Sequence, residues 1–323
     1  MITITLRQMA YFEALAETRH FGRAAELSNV SQPALSTQIA EMEARLGVRL
    51  FERTGRAALM TPEGTRLKPL IERVLAGTRE IEATARHGRG VLEGRFRLGI
   101  IPTIAPYILP GLLASAALRH PDLQLEIREA VTGTLMEETA NGALDAMVAA
   151  DPLDHPALAM QNLFGDRFFL AASAQDKAFE KPPVAPESPL LERLMLLEEG
   201  HCLREQALAL CGEVKPLAMA SYGATSLGTL LQMVAHGLGV TLIPEMALAV
   251  EANRADLRIV PFTEPQPART ICLGYRRTGG READMQALGE VVAEAGMALR
   301  ATSIPPAAMP TAPKDRQRPA IRQ

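Results

Sequence analysis

The sequence predicts an α/β protein with a small helical head, and three observations predict it. Beyond about residue 90, short apolar runs alternate with amphipathic stretches, the pattern of strands and helices taken in turn. The first 60 residues instead hold three helical segments and a short hairpin. Between the two parts, from residue 62 to about 89, runs one long amphipathic helix. At 323 residues the chain exceeds one ordinary core, so two or three domains are expected.

Composition narrows the class. Hydrophobic residues make up 47% and Trp is absent, as in a soluble globular protein. No run of some 18 apolar residues occurs and the amino terminus has no secretory pattern, so a cytoplasmic protein with no membrane partner is expected. Residues 1–90 hold 13 Lys and Arg against 10 Asp and Glu, whereas 91–300 hold 17 against 26. A basic head on an acidic body is compatible with nucleic-acid binding by the head.

Within the head, residues 4–18 carry Leu6, Met9, Ala10, Phe12 and Leu15 at helical spacing, and a second short helix covers 22–27. Ser31 can cap a third helix and Pro33 is tolerated in its first turn. Leu35, Ile39, Met42 and Leu46 share one face, which is core. Pro33, Ser36, Thr37 and Ala40 lie opposite, small and polar enough for a DNA major groove, with Gln32 at the exposed end. The pattern alone fits a plain helical bundle equally well. The next segment favours a helix-turn-helix: residues 50–64 read as two short strands around Thr54 and Gly55, a wing offering Arg53 and Arg56 to phosphates. In the long helix, Leu67, Ile71, Val74, Thr78 and Ile81 form a heptad seam that wants a partner helix.

In the body, strands are expected at 96–101, 123–129, 143–150, 239–243 and 269–275. Helices are expected at 104–118, after Thr132, at 226–236 and at 281–299. Residues 301–323 hold five Pro and four Lys or Arg and read as a disordered tail.

The chemistry concentrates in residues 197–211, L-E-E-G-H-C-L-R-E-Q-A-L-A-L-C, with two of the three cysteines. Cys202 lies beside His201 and near Arg204, where a helix could begin after Gly200, a setting that favours thiolate. Cys211 ends an apolar run. If 203–210 is helical, nine residues set the two Cα atoms roughly 13 Å apart along the axis, whereas a disulfide needs about 7 Å or less. Bonding would then require unwinding. Two unrelated buried cysteines are the commoner arrangement, and the spacing lacks the close ligand pairs of a zinc site.

Residues 4–64 resemble the winged helix-turn-helix of LysR-type transcriptional regulators. The matching stretches are H-F-G-R-A-A-E-L, V-S-Q-P-A-L-S-T-Q-I, M-E-A-R-L-G-V-R-L-F-E-R-T and L-M-T-P-E-G. Within that family, E-E-G-H-C-L-R-E-Q-A with its second cysteine resembles the hydrogen-peroxide-sensing members, and the likeness covers about residues 1–300. It implies a winged helix-turn-helix over 1–61, a linker and dimerisation helix over 62–90 and a regulatory domain over 91–300. That domain would have two α/β subdomains of the periplasmic-binding-protein type, about 91–163 plus 269–300 and about 164–268.

The resemblance also implies roles. Cys202 would be peroxidatic and Cys211 resolving, with Thr103, Thr132, His201, Arg204 and Arg269 lining the peroxide pocket. Thiolate formation alone gains at most some 10- to 30-fold, so hydrogen bonds to the departing hydroxide are needed. Thr103 and Thr132, just past predicted strands, suit that task. Double-stranded DNA, a homo-oligomer built as a dimer of dimers, RNA polymerase and a thiol reductant (glutaredoxin or thioredoxin) are the implied partners. The promoters would be those of antioxidant genes, and no enzyme activity, cofactor or metal is implied.

One departure stands out: Ser221 and Gly223 occupy positions where better-known members carry His and Arg. Cys272 has no known counterpart and reads as inert. Two rivals remain, a metabolite-responsive LysR-type regulator with incidental cysteines and a thiol peroxidase fused to a DNA-binding head.

Overall fold

The computed structural model describes residues 3–54, 57–86, 90–211, 224–252 and 256–302. The head opens with α1 (Leu6–Thr18), fastened by a capping box in which Thr5 and Gln8 each bond the other's backbone N–H. In α2 (Phe21–Leu27) the cap is the His20 ring, whose Nδ1 accepts from the amides of Gly22 and Arg23. Helix α3 (Gln32–Leu46) starts at Ser31, which accepts from the Ala34 amide, and ends at Gly47 with φ +73°. Its buried face, Leu35, Ile39 and Met42, closes on Phe12 and Leu15 as the spacing predicts.

Strands β1 (Phe51–Thr54) and β2 (Ala57–Met60) form the antiparallel hairpin of the wing. Helix α4 (Pro62–Arg86) follows at once. Gly64 in its first turn is forced, because a Cβ there would overlap the Leu50 carbonyl.

The predicted seam of α4 is split in two. Ile71 and Leu75 are buried, and with half-buried Leu67 they complete the core of the head. Leu70, Val74 and Ile81 face solvent instead. A straight helix of 3.6 residues per turn drifts off a 3.5 repeat, so one stripe serves the head and the next is left for a partner.

The body is built on a seven-stranded sheet whose main path runs β4-β3-β5-β9-β6-β7, with β8 paired to β6. Strands β3 (Gly94–Ile100), β4 (Leu123–Glu129) and β5 (Ala146–Ala150) are parallel, joined by α5 (Ala105–Arg119) and α6 (Thr132–Ala140). Then comes β6 (Leu158–Ser173), 16 residues long. It is followed by α7 (Cys202–Cys211), α8 (Leu227–Ala235), β7 (Thr241–Pro244), the short α9 (Leu248–Glu251) and β8 (Leu257–Pro261). The chain returns in β9 (Ala268–Arg276) and ends in α10 (Glu282–Thr302).

Two lobes arise because β6 serves both. Its first part pairs antiparallel with β9, from Leu158 opposite Arg276 to Arg167 opposite Ala268. Its last part, Phe168 to Ser173, pairs with β7 and β8. The crossing expected near Phe164 is therefore a continuous strand, with a register shift between Asn162 and Phe164. At the carboxyl end, α10 continues to Thr302, so residues 301 and 302 belong to a helix and not to a tail. Residues 303–323 lie outside the described residues, as do 87–89 at the end of the expected linker.

Candidate functional site: a thiol across the ends of three parallel strands

In an open parallel sheet, ligands sit beyond the carboxyl ends of the strands. Here those ends carry Thr103 after β3, Val131 and Thr132 after β4, and Asp151 after β5. Helix α7, from the other lobe, lies over them. Gly200 (φ +92°) is in contact range of the β4 end, since a Cβ on it would lie 3.5 Å from Val131 Cγ2. Four positions past Cys202, Gln206 donates from Nε2 to the Asp151 carbonyl at 2.5 Å. Strand β3, which leads to Thr103, lies between β4 and β5.

Cys202 is the first residue of α7, half-buried against the main hydrophobic cluster, with its thiol free. Cys211 is the last residue, and its side chain lies outside the described residues. Nine helical residues correspond to a rise of roughly 13 Å, so with α7 wound the backbone keeps the pair beyond disulfide reach. Helix formation follows from Leu203, Ala207 and half-buried Leu210 packing on the cluster.

Among the described residues, the buried polar atoms without a protein partner include Thr132 Oγ1 at the β4 end, His201 Nδ1 next to Cys202 in the chain and Gln206 Oε1 one turn along α7. Buried polar groups are ordinarily hydrogen-bonded. Three orphans on the β4 end and the α7 segment suit a small polar guest that both donates and accepts. Gln206 was not among the expected site residues, although its spacing of four from Cys202 placed it on the same helix face.

The remaining site residues behave differently from one another. His201 is buried, and burial lowers its pKa against the opposing pull of Glu198. Burial thus disfavours the charged form of the ring. Arg204 is half-buried and donates from Nη1 to the Leu197 carbonyl at 3.0 Å, holding the loop before α7. Arg269 does not face an open pocket, because its side chain is 0% exposed. It stands behind Thr103, donating to Thr103 Oγ1 at 3.0 Å and to the Thr103 carbonyl at 3.1 Å. Its Nε bonds Asp166 Oδ2 at 3.0 Å, and Nη2 also meets Met246 Sδ at 3.5 Å. Burial pushes the Asp166 carboxyl above the ordinary carboxylate range, against the pull of the Arg269 charge.

In the head, Gln32, Pro33 and Thr37 are exposed on α3 and Ser36 is half-buried on the same element. Arg53 lies on β1 with its side chain outside the described residues, and Arg56 lies outside them altogether, as do Ser221 and Gly223. Among the described residues no group of three or more His, Cys, Asp or Glu could hold a metal ion. No helix there is long and apolar enough to cross a membrane.

Cys272 is buried in β9, its Sγ 3.2 Å from Asn162 Oδ1, and burial pushes its thiol up to about 11. At pH 8 iodoacetamide should leave Cys272 unlabelled in the folded protein and label it only after denaturation. Peptide mass spectrometry of native and unfolded samples checks this, and rapid native labelling would contradict it.

Residues 6–65 match the family described as bacterial regulatory helix-turn-helix protein, lysR family, and residues 89–296 match the LysR substrate binding domain. The chain belongs to the LysR family of DNA-binding transcriptional regulators. Among its relatives, the DNA-binding transcriptional dual regulator OxyR of Escherichia coli K12 is 36% identical over 290 residues, covering 90% of this chain and 95% of that one. A probable hydrogen peroxide-inducible genes activator of Streptomyces viridosporus is 38% identical over 294 residues, covering 90% and 94%. Full-length OxyR from Pseudomonas aeruginosa, solved as a variant, superposes with a TM-score of 0.70 at 32% identity, covering 92% of this chain and 98% of that one. A peroxide-bound mutant of OxyR from Corynebacterium glutamicum gives a TM-score of 0.63 at 32% identity, covering 94% and 97%.

Proposed function

We propose that this chain is a peroxide-sensing transcriptional regulator whose promoter binding at antioxidant genes changes when Cys202 and Cys211 join in a disulfide. The observation that carries the reading is α7, with a cysteine at each end, together with three buried polar atoms on Thr132, His201 and Gln206 that have no partner among the described residues. In the first step the Cys202 sulfur attacks one peroxide oxygen. An S–O bond forms, the O–O bond breaks, the sulfur is oxidised by two electrons, and the leaving hydroxide takes up a proton to become water. Cys211 sulfur then displaces hydroxide from the sulfenic acid, forming the S–S bond and a second water. That second step needs α7 to unwind.

The site assignment is Cys202 and Cys211 for redox, with Thr103, Thr132, His201 and Arg204 around the thiol and Arg269 supporting Thr103. Gln32, Pro33, Ser36, Thr37, Arg53 and Arg56 would contact double-stranded DNA. Residues 1–61, 62–90 and 91–300 would act as head, linker and regulatory domain in the cytoplasm, with glutaredoxin or thioredoxin restoring the thiols and RNA polymerase as the downstream partner. Alkylation mass spectrometry after micromolar peroxide tests the reading. A Cys202–Cys211 disulfide is expected, and two thiols left free would end it. A regulator gated by a metabolite would instead gain thermal stability with its effector under reducing conditions and ignore peroxide.

The exposed stripe of α4 supports a homo-oligomer, as a dimer of dimers. Val74 and Ile81 are 45% and 71% exposed, which an isolated amphipathic helix has no reason to keep apolar. Replacing both with Asp should shift the species seen by analytical ultracentrifugation to a smaller one. An unchanged sedimentation profile would place the interface elsewhere.

A further inference from the structure

We propose that Asp166 is a positioning residue for the oxidation of Cys202, acting through Arg269 to aim the Thr103 hydroxyl at the oxygen that leaves. The inference rests on the peroxide reading above and names a residue that neither the local sequence pattern nor the family resemblance singles out.

The geometry is a relay of fixed directions. Asp166 is fully buried where β6 passes between the lobes. One carboxylate oxygen, Oδ1, accepts the Met246 amide at 3.0 Å, which anchors the carboxylate to the second lobe. The other, Oδ2, accepts Arg269 Nε at 3.0 Å, so the guanidinium plane cannot rotate. The opposite edge of that plane then grips Thr103 twice, through Oγ1 and through the carbonyl.

An arginine side chain is a donor only. With Arg269 Nη1 filling one lone pair of Thr103 Oγ1, the hydroxyl hydrogen cannot point back along that bond. It is left free for another acceptor, which in this proposal is the peroxide oxygen that leaves. When Cys202 sulfur takes one peroxide oxygen and the O–O bond breaks, the other oxygen leaves as hydroxide. A donor already aimed at it stabilises the charge without reorganisation before the proton arrives to give water. Asp166 never touches peroxide, and its role is to keep Arg269 from spending its hydrogen bonds in another orientation.

The test compares two electrophiles on the full-length protein: hydrogen peroxide, whose leaving group is hydroxide, and iodoacetamide, whose iodide needs no such donor. Loss of the Cys202 thiol is followed by quench-flow and mass spectrometry in wild type, Asp166→Asn, Thr103→Val and the double variant. Asp166→Asn should slow the peroxide reaction about tenfold, within the effect of losing one aligned donor, and leave the alkylation rate within about twofold. In the Thr103→Val background the same substitution should add less than about twofold, since the route it serves is already gone.

Should Asp166→Asn fail to fold, Asp166→Glu keeps the charge and displaces Arg269 by one methylene. It is then expected to slow peroxide selectively. Slowing of both electrophiles alike, or costs that multiply in the double variant, would overturn the assignment. If wild-type Cys202 itself ignores peroxide, the functional reading fails first, a result distinct from either of these.

Discussion

A Cys202→Ser protein is expected to bind its operator within about twofold of the wild-type affinity and to lose the peroxide response completely. Cys202 is at the start of α7 in the body, outside the helix-turn-helix head. The hydroxyl of serine fills nearly the same space at the end of the helix yet is not a nucleophile toward peroxide at neutral pH. Mobility-shift and footprinting titrations, with and without micromolar peroxide, are the measurement. A footprint that still moves in the variant would transfer sensing to another group. Cys272 is the only other cysteine whose side chain is described, and its burial in β9 and raised pKa argue against it.

Arg269→Met should be the most destabilising single change in the body. It removes the positive partner and leaves Asp166, 0% exposed, as a lone buried carboxyl. Breaking one side of such a pair costs about 3 to 5 kcal/mol. The pH dependence has a definite sign. Burial already holds the folded-state pKa of Asp166 above its unfolded value of about 4, and losing Arg269 raises it further. Stability from the protonated form is therefore complete below that unfolded value and is lost as pH rises through the folded one. The cost of Arg269→Met should be largest near neutral pH and shrink in acid. Urea unfolding of the regulatory-domain transition at two pH values reads this directly, and an equal cost at both would show that Asp166 is not left charged. Adding Asp166→Leu to Arg269→Met should recover part of the loss.

How far the chain can be read from its residues depends on whether a feature is local. Helices α1 and α3 and strand β4 are legible because their signals lie within a few residues of each other: the apolar spacing from Leu6, the Ser31 cap and the 123–129 run are where the structure has them. Thr103 and Thr132 are legible as strand-end residues for the same reason. The seam of α4 is only half legible, since its pattern does not say which turns the head will claim. Strand β6 reads merely as a crossing, because Gly165, Asp166 and Arg167 break the apolar run at the point where the strand changes lobes. The burial of His201, which disfavours its charged form, leaves no signal in its neighbours along the chain. Asp166 leaves no local signal at all, since its partner Arg269 is 103 residues away.

The division of labour between β6 and α7 has a mechanical consequence. All strand pairings of the body, including those of the shared 16-residue β6, are made without any residue of α7. Melting those ten residues thus leaves every ladder intact, and the scaffold keeps the shape into which the helix can wind again. If the proposed disulfide forms, the work of each cycle would be confined to a single short spring.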